Sequence, residues 1–316
     1  MKPVPYDPEI EEGLARFLEL VESVPLTADT IQQNREIFAA LVPSMDELVA
    51  GRPVHWEDVR VGDLVRTVVR RAGEPPVAAP AVYQIHGGGM ILGTRFYGIE
   101  ELIDLALRYG TVGVSVEYRL APEHPHPAAA EDCYAGLLWL AEHAAGLGVD
   151  PGRILVSGFS AGGGLAAAVS LMARDRGGPA LVGQRLGAPM IDDRNTTVSS
   201  RQYDGFGAWD RNNNDTAWDA LLGADRGTER VSPYAAPSRA LDVSGLPPAY
   251  IEVGAAETFR DEAVEYAGRI WAAGGQAELH VWGGAFHGFA GAAPHAEVSR
   301  SSIATLDSWL RRVLGL

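Results

Sequence analysis

Apolar residues recur at two different spacings along this chain, and the change of spacing divides it. Over residues 8–22, Ile10, Leu14, Phe17, Leu18 and Val21 fall on one helical face. A second helix is predicted to start near Asp29 or Thr30, to carry Ile31, Ile37, Phe38 and Leu41, and to end before Pro43. From Val54 the period shortens, and Trp56 to Arg60 and Leu64 to Arg70 alternate as an antiparallel hairpin around Gly62. Ala81 to Ile85 reads as a buried strand, followed by a helix from Tyr97 to Tyr109 and a strand from Val112 to Tyr118. A helix from Ala128 to His143, a short strand Arg153 to Val156 and a small-residue helix Leu165 to Ala173 come next. After a strand at Gln184 to Pro189 the alternation stops. It resumes with Ala249 to Val253, a helix Asp261 to Ala273, a strand Ala277 to Trp282 and a closing helix Val298 to Leu314.

Strands alternating with helices of this length predict a mostly parallel sheet covered on both faces. The interruption is polar and aromatic, holding Tyr203, Phe206, Trp209, Trp218 and Tyr234. A structureless loop so long is rare inside a compact domain, so a helical cap inserted at 192–244 is expected. Residues 1–50 supply further cap helices, and 51–191 with 245–316 form the α/β body.

Composition narrows the function. The chain has 316 residues, 47% of them apolar, with a net charge of −15 from 26 basic and 41 acidic side chains. That balance argues against nucleic acid or an anionic membrane as a partner. The first residues carry prolines and acids rather than a signal-peptide core, and no apolar run is long enough to span a bilayer. Cys133 is the only cysteine, which excludes an intrachain disulfide and makes the cytoplasm the expected compartment. Lys2 is the only lysine. A phosphate-loop lysine, a Ser-x-x-Lys nucleophile and a Schiff-base lysine in the body are therefore all missing.

The chemistry centres on Gly158-Phe159-Ser160-Ala161-Gly162, a G-x-S-x-G between a strand and a helix. Such a turn strains the serine backbone, lifts its hydroxyl clear of the sheet and aims the first helix amides at the group it attacks. A neutral serine needs a base, and imidazole titrates near neutrality. Of eight histidines, His287 alone lies in a glycine-rich loop after the last strand, at the sheet edge where parallel α/β folds place their sites. His124 and His126, a lone His-x-His, lack a nearby third metal ligand, and no metal or organic cofactor is implied. The base needs a carboxylate partner. The loop after Ala249 to Val253 offers Glu257, Asp261 and Glu262, with Asp192 and Asp193 as weaker candidates. His86-Gly87-Gly88-Gly89, just after a strand, supplies backbone amides that a developing oxyanion can approach.

Together with Tyr118 to Glu123, Val231 to Tyr234, Gly245 to Pro248 and Phe286-His287-Gly288-Phe289, these motifs resemble the hormone-sensitive-lipase-like carboxylesterases of the α/β-hydrolase superfamily. The resemblance spans roughly residues 83–289. It implies an α/β-hydrolase fold with an eight-stranded, mostly parallel sheet, a helical cap and often a homodimer. It also implies hydrolysis of short- to medium-chain esters through an acyl-Ser160 intermediate. Carried over, Ser160 is the nucleophile, His287 the base, Glu257 the acid, and Gly88, Gly89 and Ala161 the oxyanion amides. His86, Gly87, Gly158 and Gly162 support the two motifs. Phe17, Phe206, Trp209 and Trp218 are candidates to line the pocket.

Two positions depart from the family pattern. Phe159 replaces an acidic residue before the nucleophile, and Glu257 stands where the family has aspartate. An amidase or peptidase would use the same triad, and a non-catalytic small-molecule receptor of this fold would be expected to lose a triad member.

Overall fold

The strands form one sheet because their side chains alternate between two separate cores, as period-two packing requires. The computed structural model describes residues 1–21 and 24–316, without the Val21 side chain. The end of the first predicted helix at residue 22, and Val21 as part of its face, lie outside the described residues. In chain order the elements begin with α1 (Pro8–Val21), α2 (Ile31–Ala40), α3 (Met45–Val49), β1 (Val54–Val61), β2 (Leu64–Arg71) and β3 (Ala79–Ile85). They continue with α4 (Ile99–Tyr109), β4 (Val112–Val116), α5 (Ala128–His143), β5 (Val149–Phe159), α6 (Ala161–Asp175) and β6 (Gly183–Gly187). The last are α7 (Val198–Gln202), α8 (Arg211–Leu222), β7 (Ala249–Gly254), α9 (Arg260–Ala272), β8 (Ala277–Trp282), α10 (Phe289–Ala292) and α11 (Glu297–Leu314).

The eight strands run in the order β1-β2-β4-β3-β5-β6-β7-β8. Only the β1–β2 and β2–β4 pairs are antiparallel, and every pair from β3 to β8 is parallel. On one face Tyr83, Ile154, Val156 and Ile251 bury against α5, α6 and α9 through Leu137, Val169 and Tyr266. On the other, Val82, Leu155 and Tyr250 bury against α4 and α11 through Leu102, Trp309 and Leu310. Adjacent residues of one strand thus serve opposite cores.

The main correction concerns α6, which begins at Ala161, not Leu165. Three successive glycines read as a flexible turn, but here they are helical and pressed against other backbone. A Cβ on Gly162 would stand 2.0 Å from the Ile85 carbonyl oxygen, and one on Gly164 would stand 2.0 Å from that of Met190. Their missing side chains serve close packing rather than freedom. β5 also starts earlier than predicted and β4 stops at Val116, two residues short of Tyr118.

Between β6 and β7 the chain forms α7, α8 and two short 3-10 turns. Its root is held by Glu262 in the first turn of α9, which accepts hydrogen bonds from the Ile191 and Asp192 amides at 2.8 and 3.2 Å. At the other end of the chain, Ile10 and Leu14 of α1 bury against Phe286, Phe289 and Ala293. The Asp7 amide donates to the Gly284 carbonyl. No described helix is long and apolar enough to cross a membrane.

Burial pushes the Glu262 carboxyl well above its ordinary value of 4.5, reinforced by nearby Asp192. A raised carboxyl pKa means the folded state prefers the protonated form, so stability falls as pH rises through the window above 4.5. Glu262→Gln retains the amide acceptor without the buried charge. It should raise the Tm at pH 7.5 by a few degrees and converge with the wild type below pH 4.5, measured by thermal melts across pH.

Candidate active site

The carboxyl ends of β3, β5, β7 and β8 meet at one edge, and each delivers one motif there. β5 ends at Phe159, and Ser160 follows with φ 60° and ψ −122°, a conformation that costs a non-glycine residue energy. The turn is held from three sides. The Ser160 amide donates to the Gly187 carbonyl at 2.7 Å, and the Ser160 carbonyl accepts from the Gly164 and Met190 amides, both at 3.0 Å. A Cβ on Gly158 would lie 2.1 Å from the Gly162 carbonyl oxygen, so the elbow closes only with glycine there.

After β3, the His86–Gly89 loop turns back against the elbow. A Cβ on Gly87 would sit 3.4 Å from that of Ser160 and 2.9 Å from the Phe159 carbonyl oxygen. Gly88 and Gly89 adopt φ 109° and 63°, which glycine enters at no steric cost. A Cβ on Gly89 would collide with the Trp209 indole at 2.6 Å. Among the described residues, the Gly88 and Gly89 amides donate to no backbone carbonyl, while the Gly88 carbonyl anchors the Ile91 and Leu92 amides. With the Ala161 amide at the start of α6, they are donors free for a ligand's oxygen. His86 itself faces inward, stacked on Tyr118 with ring centroids 4.1 Å apart and Nδ1 2.8 Å from the Gly87 carbonyl. Burial lowers its pKa, so its ring is a neutral prop for the loop.

The loops after β7 and β8 bring His287 and Glu257 together. His287 Nδ1 lies 2.9 Å from Glu257 Oε1, and Glu257 Oε2 accepts the Gly254 amide at 3.0 Å. Glu257 is 3% exposed, so both its oxygens are engaged out of bulk water. The Ala256 amide donates to the Ala285 carbonyl at 2.9 Å and ties the two loops to each other. Two phenylalanine rings flank the imidazole, Phe159 at 4.8 Å and Phe259 edge-on at 5.2 Å.

The other carboxylates raised by the sequence are committed elsewhere. Asp261 accepts the Ser199 amide at 2.8 Å and pairs with Arg260. Asp192 pairs with Arg194, Asp193 with Arg239, and Glu262 holds the backbone of residues 191 and 192. Among the described residues, no group of three or more His, Cys, Asp or Glu is arranged to hold a metal.

Ser160, His287 and Gly88 line one cavity of about 390 Å³, walled by Phe17, Phe38, Leu92, Tyr97, Trp209 and Phe286. The four aromatic lining candidates divide. Phe17 and Trp209 face this cavity, and Trp209 is held by its carbonyl accepting the Thr258 hydroxyl at 2.8 Å. Phe206 is 40% exposed and lines the neighbouring cavity beside Phe17 instead. Trp218 is fully buried in the main core and lines neither, because it lies on the inward face of α8 with Ala217 and Leu221. Phe38 and Tyr97 were missed as lining residues. The place of Tyr97 between the glycine loop and α4 is the one sequence signal that could have found it.

A family model described as the α/β-hydrolase fold matches residues 82–291. The chain belongs to that family, in its hormone-sensitive-lipase-like group. Carboxylesterase NlhH of Mycobacterium tuberculosis is 39% identical over 302 residues, covering 89% of each chain. Esterase LipI of the same organism is 35% identical over 268 residues, 76% of this chain and 78% of that one. Among solved structures, a bacterial heroin esterase superposes with a TM-score of 0.89 at 36% identity, covering 98% of both chains. Esterase LipW from Mycobacterium marinum gives 0.84 at 30% identity, again over 98% of both.

The hydrogen-bond geometry separates the two acid candidates. Glu257→Gln should lower kcat by about 10⁴-fold, since the imidazole loses the carboxylate that fixes its tautomer. Asp261→Asn should leave kcat within a few-fold and act on stability through its ties to Ser199 and Arg260. Steady-state kinetics beside thermal melts of both variants check the assignment, and the opposite pattern reverses it.

Proposed function

We propose that the protein is a serine carboxylesterase acting on short- to medium-chain esters of small molecules. The observation that carries the reading is the 2.9 Å His287–Glu257 bond, with His287 lining the same cavity as a strained Ser160 beside unpaired amides. In this mechanism the Ser160 hydroxyl oxygen attacks the ester carbonyl carbon while His287 Nε2 takes its proton. Glu257 stabilises the imidazolium from the Nδ1 side. The Gly88, Gly89 and Ala161 amides receive the developing oxyanion, which is where such sites gain most of their rate. His287 returns the proton to the departing alcohol and leaves an acyl group on Ser160. Water then repeats the sequence and releases the acid.

The relatives' names, esterase and carboxylesterase, favour an ester over an amide and leave the receptor reading without support. In our reading, residues 1–50 and 192–244 form the cap. Phe17 and Phe38 of the first segment and Trp209 of the second line the cavity together. Such an apolar cavity suits a buried small ester better than a lipid interface, which an acidic surface also disfavours. A cytoplasmic homodimer is the assembly we propose, the compartment resting on the lone buried Cys133 and the dimer on the family resemblance. Analytical ultracentrifugation tests the dimer.

Ser160→Ala should reduce p-nitrophenyl ester hydrolysis to near background with an unchanged melt. Wild-type protein should carry one fluorophosphonate adduct, on Ser160 by mass spectrometry; no adduct there overturns the serine-hydrolase reading. EDTA should leave the rate unchanged, and a loss restored by a divalent metal would contradict the mechanism. Activity should rise with pH along its acidic limb, because only neutral imidazole accepts the serine proton.

A further inference from the structure

Phe159, the residue before the nucleophile, stands between two chambers. One is the cavity of about 390 Å³ that holds Ser160 and His287. The other, about 410 Å³, lies on the far side of the ring and is bounded by Gln84, Arg185, Ala188, Glu252 and Val253. Phe159, Tyr97, Leu41, Val42, Gly288 and Gly291 line both chambers and so make up the wall. Of these, Phe159 alone adjoins Ser160 in the chain. The fold makes room for its ring deliberately at one point: a Cβ on Gly187 would lie 2.9 Å from Phe159 Cδ2. The second chamber is lined by apolar Ile85, Ala188 and Val253 together with polar groups, among them the Arg185–Glu252 pair at 3.0 Å and the Glu257 carboxylate that holds His287.

We propose that the Phe159 ring is a specificity-determining partition that closes the acyl side of the Ser160 cavity. The acyl group stays bonded to Ser160, the chain neighbour of Phe159, through the intermediate, while the alcohol departs. Acyl groups that fit in front of the ring are accepted. Longer ones meet it, and the second chamber is the space they occupy once the ring is removed. This rests on the serine-esterase reading of the site. It gives Phe159 a role that support of the His287 ring alone does not, because a prop for the base affects every ester alike.

The experiment compares kcat/KM for p-nitrophenyl acetate, butyrate and octanoate in wild type, Phe159→Ala and Phe259→Leu. Phe259 touches the His287 ring from the other side and lines neither chamber, so it reports imidazole support without the partition. Burial of each added methylene is worth about fourfold. Phe159→Ala should therefore raise the octanoate-to-acetate ratio by more than about tenfold, whatever it does to the absolute rates. Phe259→Leu should lower all three esters together and leave the ratio unchanged.

An unchanged ratio in Phe159→Ala that still takes a fluorophosphonate label on Ser160 overturns the proposal, as does an equal shift in Phe259→Leu. Should Phe159→Ala fail to fold, Phe159→Leu must raise the ratio in the same direction, and no rise there overturns it equally. Wild type that neither hydrolyses these esters nor takes the label defeats the underlying esterase reading. A labelled, active wild type with a flat variant ratio defeats the partition alone.

Discussion

Everything at this site depends on how closely α6 is driven into the ends of its neighbouring strands. The helix backbone meets the Ile85 and Met190 carbonyls at distances that no side chain could survive, and Gly158 closes on Gly162 in the same way. This crowding holds Ser160 at φ 60°, since relaxing the residue would require moving a helix, two strands and a loop together. The strain in the Ser160 backbone is thus maintained by the packing around the elbow. The same contact sets the position of the first amides of α6 and the distance to the glycine loop after β3. Ser160 and the amides of Gly88, Gly89 and Ala161, the nucleophile and oxyanion donors we propose, are consequently one rigid unit, built from backbone.

His287 and Glu257, the base and acid we propose, belong to a second unit, made differently. Their two loops are joined by the Ala256–Ala285 and Ala255–Trp282 backbone bonds, and Glu257 spends one oxygen on its own loop and the other on the histidine. Two aromatic rings fix the plane of the imidazole. Side chains carry most of the precision here, with one glycine beside them: a Cβ on Gly254 would stand 2.1 Å from the Ala285 carbonyl oxygen. The two units touch through Phe159, which ends the strand of the first and packs on the base of the second.

This division explains what could be read from the sequence. Backbone devices announce themselves through residue type, so Gly158, Gly162 and the His86–Gly89 loop pointed to their places. The alternating strands did so as well, with β8 and α5 matching their predicted bounds. Side-chain geometry across distant loops has no such local mark. Glu257 stands out from five carboxylates by its place on the loop ahead of the next helix and by a family pattern, and the ion pairs that occupy Asp192, Asp193 and Asp261 are invisible in the chain order. Aromatic residues were equally opaque. Trp209 and Trp218 lie nine positions apart, yet one faces the cavity and the other the core, because the first precedes α8 and the second sits on its inward face. The glycines of α6 misled in the opposite sense, since contact with a neighbour's backbone leaves the same signature as a turn.

The clasp between α1 and the histidine loop has a bearing on when the protein becomes competent. Ile10 and Leu14 come from one end of the sequence and Phe286 and Phe289 from the other. A contact between such remote segments forms late, because the loop it closes is almost the whole chain. On the ribosome α1 emerges long before the segment that covers its apolar stripe, and the elbow is complete while the base is still unmade. The loop carrying His287, the base we propose, is thereby seated only as the fold completes, and a chain ending before it would hold Ser160 without that proton acceptor.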